Sequence, residues 1–224
     1  SQSATVTIRR NDFAVTTTQD GGEGSLRQAL QNALDLEGPA TVTFDTMVGP
    51  FAIKQTIVLA ADLPELSGEL AIDGSIEGSL WKATGVTVSG GGRRRVFSVA
   101  PGARVTLRSL TVADGRARKG GGIANAGTLI VKGVTFVRNV ARSEGGALAS
   151  RGGRVTVINS TFTENRAGRA GGGLADRGGT VTVTNCTFSD NLARTGGGLF
   201  SDGSLLVRNT ILAKARDPII GHEF

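Results

Sequence analysis

The sequence predicts an all-β fold: a right-handed, single-stranded parallel β-helix with three short strands per coil and an N-terminal capping α-helix. Three observations carry this. The stretch from Ala124 to Leu199 says the same thing three times, with a period of about 25 residues. Inside each repeat the apolar residues alternate, as Val155/Val157 and Val181/Val183 do around Thr156 and Thr182. The dominant residues are Gly, Thr, Val and Asn rather than strong helix formers.

Written by repeat, the block reads ANAGTLIVKGVTFVRNVARSEGGAL, ASRGGRVTVINSTFTENRAGRAGGGL and ADRGGTVTVTNCTFSDNLARTGGGL. Phe136, Phe162 and Phe188 keep step, followed by Asn139, Asn165 and Asn191, and each unit closes on glycines and Leu148, Leu174 or Leu199. Helical solenoids need long stripes of period 3.6, and leucine-rich repeats need a Leu-x-x-Leu-x-Leu frame; neither is present. Coils of short strands remain, each strand pairing in parallel with its counterpart about 4.8 Å away.

Stacked coils turn the repeats into columns. Val131–Val157–Val183–Val207, Val112–Phe136–Phe162–Phe188–Leu212 and Ile123–Leu148–Leu174–Leu199 become inward stacks. Each buried side chain is worth about 1.5–3 kcal/mol. The asparagine columns Asn139–Asn165–Asn191 and Asn159–Asn185–Asn209 are expected to hydrogen-bond along the stack and to local backbone.

Ahead of the repeats, Ala4–Ile8 and Phe13/Val15 alternate like strands. One convincing helix follows. Ser25 is its N-cap with Gln28 three residues on; Leu26, Ala29, Leu30, Ala33 and Leu34 form its apolar face, and Gly38-Pro39 stops it. Such a helix would shield the open first coil. From Thr41 the strands are looser (Val42/Phe44, Ile53–Leu59, Leu70–Ile72, Val86/Val88), and Gly90–Gly92 with Arg93–Arg95 marks a loop. The expected organisation is an N-terminal strand and capping helix over residues 1–40, a β-helix over 41–220 with regular repeats at 96–212, and a tail at 213–224. Pro218 ends the pattern, so the last coil is expected either to continue in a longer chain or to be covered by another subunit.

Composition narrows the function. The net charge of +6 argues against cationic ligands and permits polyanions. No apolar run is long enough to span a bilayer, and SQSATVTIRR has no signal-peptide core, so any export signal is expected to have been removed. The single Cys186 allows no internal disulfide and reads as a small structural residue.

Phe-x-x-Asn followed by Gly-Gly-[AIL], as at Phe136/Asn139 with Gly145-Gly146-Ala147 and again at Phe162/Asn165 and Phe188/Asn191, resembles the repeats of bacterial polymorphic outer-membrane and other autotransporter-like passenger proteins. FAVTTTQDGGEGSLRQAL is similar to the Ser-Leu-Arg-[EQ]-Ala segment that opens many secreted bacterial β-helix proteins. The resemblance implies a secreted or surface-displayed bacterial protein. Such scaffolds serve adhesins, polysaccharide-active enzymes and structural surface proteins alike. Asn159-Ser-Thr and Asn185-Cys-Thr match a glycosylation acceptor, which a bacterial origin discounts.

The glycine triplets lack a following Lys-Ser/Thr and open no helix, so they read as turns rather than phosphate loops. Catalysis on a β-helix needs a carboxylate pair or a base beside a cleft. The candidates are Asp176 with Asp202 and Glu164 with Asp190, against a plainer reading in which they pair with Arg151, Arg166 and Arg177. His222 in the tail and Trp81, the lone tryptophan, add little, and no metal or cofactor is expected.

The sharper feature is basic. Arg118, Arg142, Arg169 and Arg194 each stand just before a glycine run. Stacked about 5 Å apart they repel by about 1 kcal/mol per pair in water, and a linear polyanion would relieve that. Nucleic acid is disfavoured because no aromatics interleave with the arginines. The reading favoured is a non-enzymatic adhesin- or stalk-like module, whose arginines are read either as a solvated face eased by Glu144, Glu164 and Asp190 or as a column that binds an anionic polysaccharide or cell-surface glycan. The alternatives are a polysaccharide lyase, hydrolase or epimerase with a cleft on one β-face, and a structural segment that self-associates end to end through its C-terminal coil.

Overall fold

The computed structural model describes residues 13–36, 38–45, 54–75 and 85–214. Ala4–Ile8, Ile53, Trp81, Pro218 and His222 lie outside these residues.

One coil shows the design. Strands Ile123–Asn125, Thr128–Lys132, Thr135–Val137 and Val140–Glu144 follow one another around the axis. Each pairs in parallel with its counterpart one coil on: Ile123 with Leu148, Leu129 with Val155, Phe136 with Phe162, Val140 with Arg166. Among the described residues this builds an eight-stranded, a seven-stranded and a five-stranded parallel sheet, the three faces that the periodicity predicts. A further three-stranded sheet joins Arg116–Lys119, Val140–Glu144 and Arg166–Ala167. This extra strand has no apolar alternation to announce it. Its inward residues are small, and Ala141, Ala167 and Ala193 form a core cluster of their own.

The inward columns are in register. Val131, Val157, Val183 and Val207 stack, as do Val112, Phe136, Phe162, Phe188 and Leu212. Phe162 lies between Phe136 and Phe188 with ring centroids 4.5 and 4.4 Å apart and planes within 13° and 5° of parallel. Free aromatic pairs prefer offset or edge-on geometry; here the strand spacing imposes the stack. Cys186 is buried, and burial pushes its thiol pKa up, which suits an inert core residue.

Asn139, Asn165 and Asn191 behave as predicted. The Asn165 side-chain oxygen accepts from Asn139 N and Nδ2, both at 3.0 Å, while its own Nδ2 donates to Phe136 O and to Asn191 Oδ1. Asn159, Asn185 and Asn209 do not. They are exposed, make no side-chain hydrogen bond among the described residues, and sit at φ of 51°, 54° and 46°. The turn between two faces needs a left-handed residue in every coil, and asparagine tolerates that conformation better than most.

The helix Leu26–Leu34 is capped by Ser25, whose Oγ accepts from Gln28 N at 3.2 Å. The capping box is half made, because Ser25 N donates to Gly22 O and not to the Gln28 side chain, whose amide donates to Asn32. Leu26, Ala29, Leu30 and Ala33 are buried, and the helix packs against strands Ala14–Val15 and Ala40–Phe44, the first two of the eight-stranded sheet. At the far end Leu205, Leu206, Ile211 and Leu212 are exposed.

Coil length is fixed on one side and free on the other. The step Thr128–Thr135–Val140 recurs without insertion as Arg154–Thr161–Arg166 and Thr180–Thr187–Leu192. The corners on either side of the five-stranded sheet gain or lose a residue, as in Arg116–Ile123 against Val140–Leu148.

Candidate functional site

The short three-stranded sheet carries the arginines. Because Ala141 and Ala167 point inward, the residues on either side of them point outward, and the same holds around Ala117 and Ala193. This exposes Arg116 and Arg118 in one coil, Arg142 in the next, Arg166 and Arg169 in the third and Arg194 in the fourth. Arg93, on the loop that precedes the first of these strands, extends the face. Among the described residues none of these seven has an acidic partner within ion-pair distance.

Three of the four arginines expected in one column share a row. Lys119, Glu144, Ala170 and Thr195 share a row, so the row before it is Arg118–Ser143–Arg169–Arg194. Arg142 falls one place short because the register shifts between Ala141 and Glu144. Arg116, missed from the sequence, and Arg166, expected there only as a carboxylate partner, both pair with Val140 and so stand two coils apart. The signal was there in the Arg-Ala pairs 116–117 and 166–167, which alternate like a strand with alanine as the inward residue.

The face is concave at one end. Arg93, Arg116, Arg118 and Arg142, with Ala117 and Ser143, line a depression of about 460 Å³. Beyond it the arginines stand beside carboxylates. Arg94 approaches Asp62 at 4.0 Å, and Asp62 and Glu65 act on the half-buried Arg95, which spends its own donors on Lys119 O, Gly120 O and Ser98 Oγ. Along one flank runs the left-handed turn column Asp114, Arg138, Glu164 and Asp190, in which Arg138 binds Asp114 at 2.8 Å.

The candidate carboxylates separate. Glu164 and Asp190 do share that exposed column, at φ of 56° and 55°. Asp176 and Asp202 do not face one turn together: Asp176 pairs with Ser201, and Asp202 lies with Arg177. Asp176 is 0% exposed; its Oδ2 accepts from Gly179 N and Ser201 Oγ, while its Oδ1 has no partner among the described residues. Asp202 is exposed and accepts from Arg177 and Gly178 N, and the Arg177 guanidinium holds its carboxyl below the usual range. Of the expected partners Arg151, Arg166 and Arg177, only Arg177 pairs with these carboxylates. It also binds Glu144, 2.8 Å away, and covers the Phe200 ring at 4.4 Å.

Residues 75–220, more than half of the chain, match the family described as the right handed beta helix region. The chain belongs to the right-handed β-helix family. For this β-helix protein a search of curated proteins returned no match. No helix among the described residues is long and apolar enough to cross a membrane.

Proposed function

We propose that this β-helix protein is a non-enzymatic, secreted or surface-displayed binding module whose arginine face holds a linear anionic polysaccharide along the coil axis. The observation that carries this reading is the seven exposed arginines on consecutive coils, none with an acidic partner among the described residues. Nearby cations raise one another's energy, and an anionic chain that visits several of them gains through effective concentration. The acidic flank at Glu164 and Asp190 favours a chain that runs along the face rather than across it.

Retention on an anionic polysaccharide column tests the reading. Wild-type protein is expected to elute later than R142A/R169A/R194A and to move earlier as salt is raised. Equal retention of the two proteins would sink it.

A second reading, end-to-end self-association, is favoured by Leu205, Leu206, Ile211 and Leu212, exposed on the last described strands. Sedimentation across a concentration series decides it: a strict monomer at high concentration eliminates it.

A further inference from the structure

We infer that the concave end of the arginine face is a terminus-binding site, which takes the charged end residue of an anionic polysaccharide while the flatter arginines beyond it hold the following sugars. This rests on the polyanion reading of the face and adds a direction and an end to it.

The face is not uniform along its length. Arg166, Arg169 and Arg194 lie on exposed strand and turn positions beyond the depression. At the other end, arginines from three successive windings converge: Arg93 from the loop, Arg116 and Arg118 from one strand and Arg142 from the next. Guanidinium forks from several directions suit a sulfate or carboxylate that is itself approached from several sides, as at a chain end. A group in the middle of a polymer has sugar on both sides and leaves less room for such convergence.

What lies past the depression decides against through-passage. Arg94 approaches Asp62 and the Arg95 guanidinium is tied up on Lys119 O, Gly120 O and Ser98 Oγ, so a polyanion continuing in that direction would leave four arginines with no acidic partner among the described residues for two that are already engaged. On the flank, Glu164 and Asp190 oppose sideways exit. The remaining open route runs over Arg169 and Arg194, toward the C-terminal coil. Ser143, which also lines the depression, supplies a neutral donor beside the cations.

A cyclic and a linear probe separate the possibilities. Binding of a sulfated cyclodextrin, which has no chain end, is compared with that of a linear sulfated maltooligosaccharide of the same sugar count and degree of sulfation. The linear probe is expected to bind roughly tenfold more tightly, the order of one extra charge-assisted contact. In R93A/R118A the linear probe is expected to fall to the level of the cyclic one, whereas R169A/R194A weakens both alike. R93K/R118K, which keeps the charge and loses the forks, is expected to fall between wild type and R93A/R118A. All of these positions are exposed, so the thermal transition should not move and serves as the folding control. Equal binding of the two probes to wild type, or a linear preference that survives R93A/R118A, overturns the terminus site while leaving polyanion binding in place. Binding of neither probe overturns both.

Discussion

The Arg177 guanidinium donates to the Glu144 carboxylate at 2.8 Å across 33 residues of sequence. Lys119, one coil earlier, reaches the other oxygen of the same carboxylate at 2.8 Å, so a single nearly buried acid ties together residues from three coils. Arg177 in turn bonds Asp202 in the coil that follows. The backbone ladders join each coil only to its neighbours, and this clamp spans further.

Glu144→Gln is therefore expected to destabilise the protein by about 1–3 kcal/mol at neutral pH, as it discards the charge that both cations face. Lys119 and then Arg177 hold the Glu144 carboxyl below its ordinary value, against the opposing effect of burial. A depressed folded-state pKa contributes stability that is present above the unfolded value of about 4.3 and is lost as pH falls through the folded value. The gap between wild type and E144Q should thus close on acidification. Denaturant titrations at neutral and acid pH check this; a gap independent of pH would contradict it.

Phe162→Ala removes the middle ring of a three-ring stack that is 0% exposed at its centre. Neighbouring coils are pinned by their ladders and cannot collapse into the space, so a loss of about 3–5 kcal/mol is expected. Phe162→Leu, which refills much of the volume, should recover more than half of it. Urea unfolding of the two variants gives the comparison.

The two asparagine columns should respond in opposite ways. Asn165→Ala takes the side-chain partner from buried Asn139 N and Phe136 O and leaves Asn139 Nδ2 with Val112 O alone, at a cost on the order of 3 kcal/mol. Asn159→Gly keeps the left-handed turn and loses no side-chain bond, so it should stay within about 0.5 kcal/mol of wild type. Thermal unfolding of both proteins suffices; comparable losses would mean that the second column is bonded after all.

Asp176→Asn is expected to shift stability by less than about 1 kcal/mol, because in a fully buried site it exchanges the one oxygen unpartnered among the described residues for an amide nitrogen that has no partner there either. The oxygen that accepts from Gly179 N and Ser201 Oγ is retained. Chemical denaturation checks this; a larger loss in the D176N variant would point to a structural role for the carboxylate. Loss of a polysaccharide-cleaving activity in the same variant would favour the enzymatic alternative.

The columns were legible because strand pairing in register copies a sequence repeat directly into space: Phe136, Phe162 and Phe188 share both a sequence interval and a stack. What could not be read was set by features that leave no period. The extra sheet hides behind alanines, and Arg142 slips because one residue is absorbed at Ala141–Glu144. Asn159 and Asn165 carry the same letter six residues apart, yet one answers a backbone requirement and the other a bonding one. The depression at Arg93 needs a loop from the preceding coil, which no interval in the sequence encodes.

The run from Thr128 through Val140 keeps one length from coil to coil, while the corners beside the five-stranded sheet lengthen and shorten. Those corners are natural grafting points. Peptide tags or foreign loops spliced after Arg151 or Arg177 should ride outside the stacked interior, whereas the same cargo placed after Asn159 would force apart two rungs that every neighbouring winding shares.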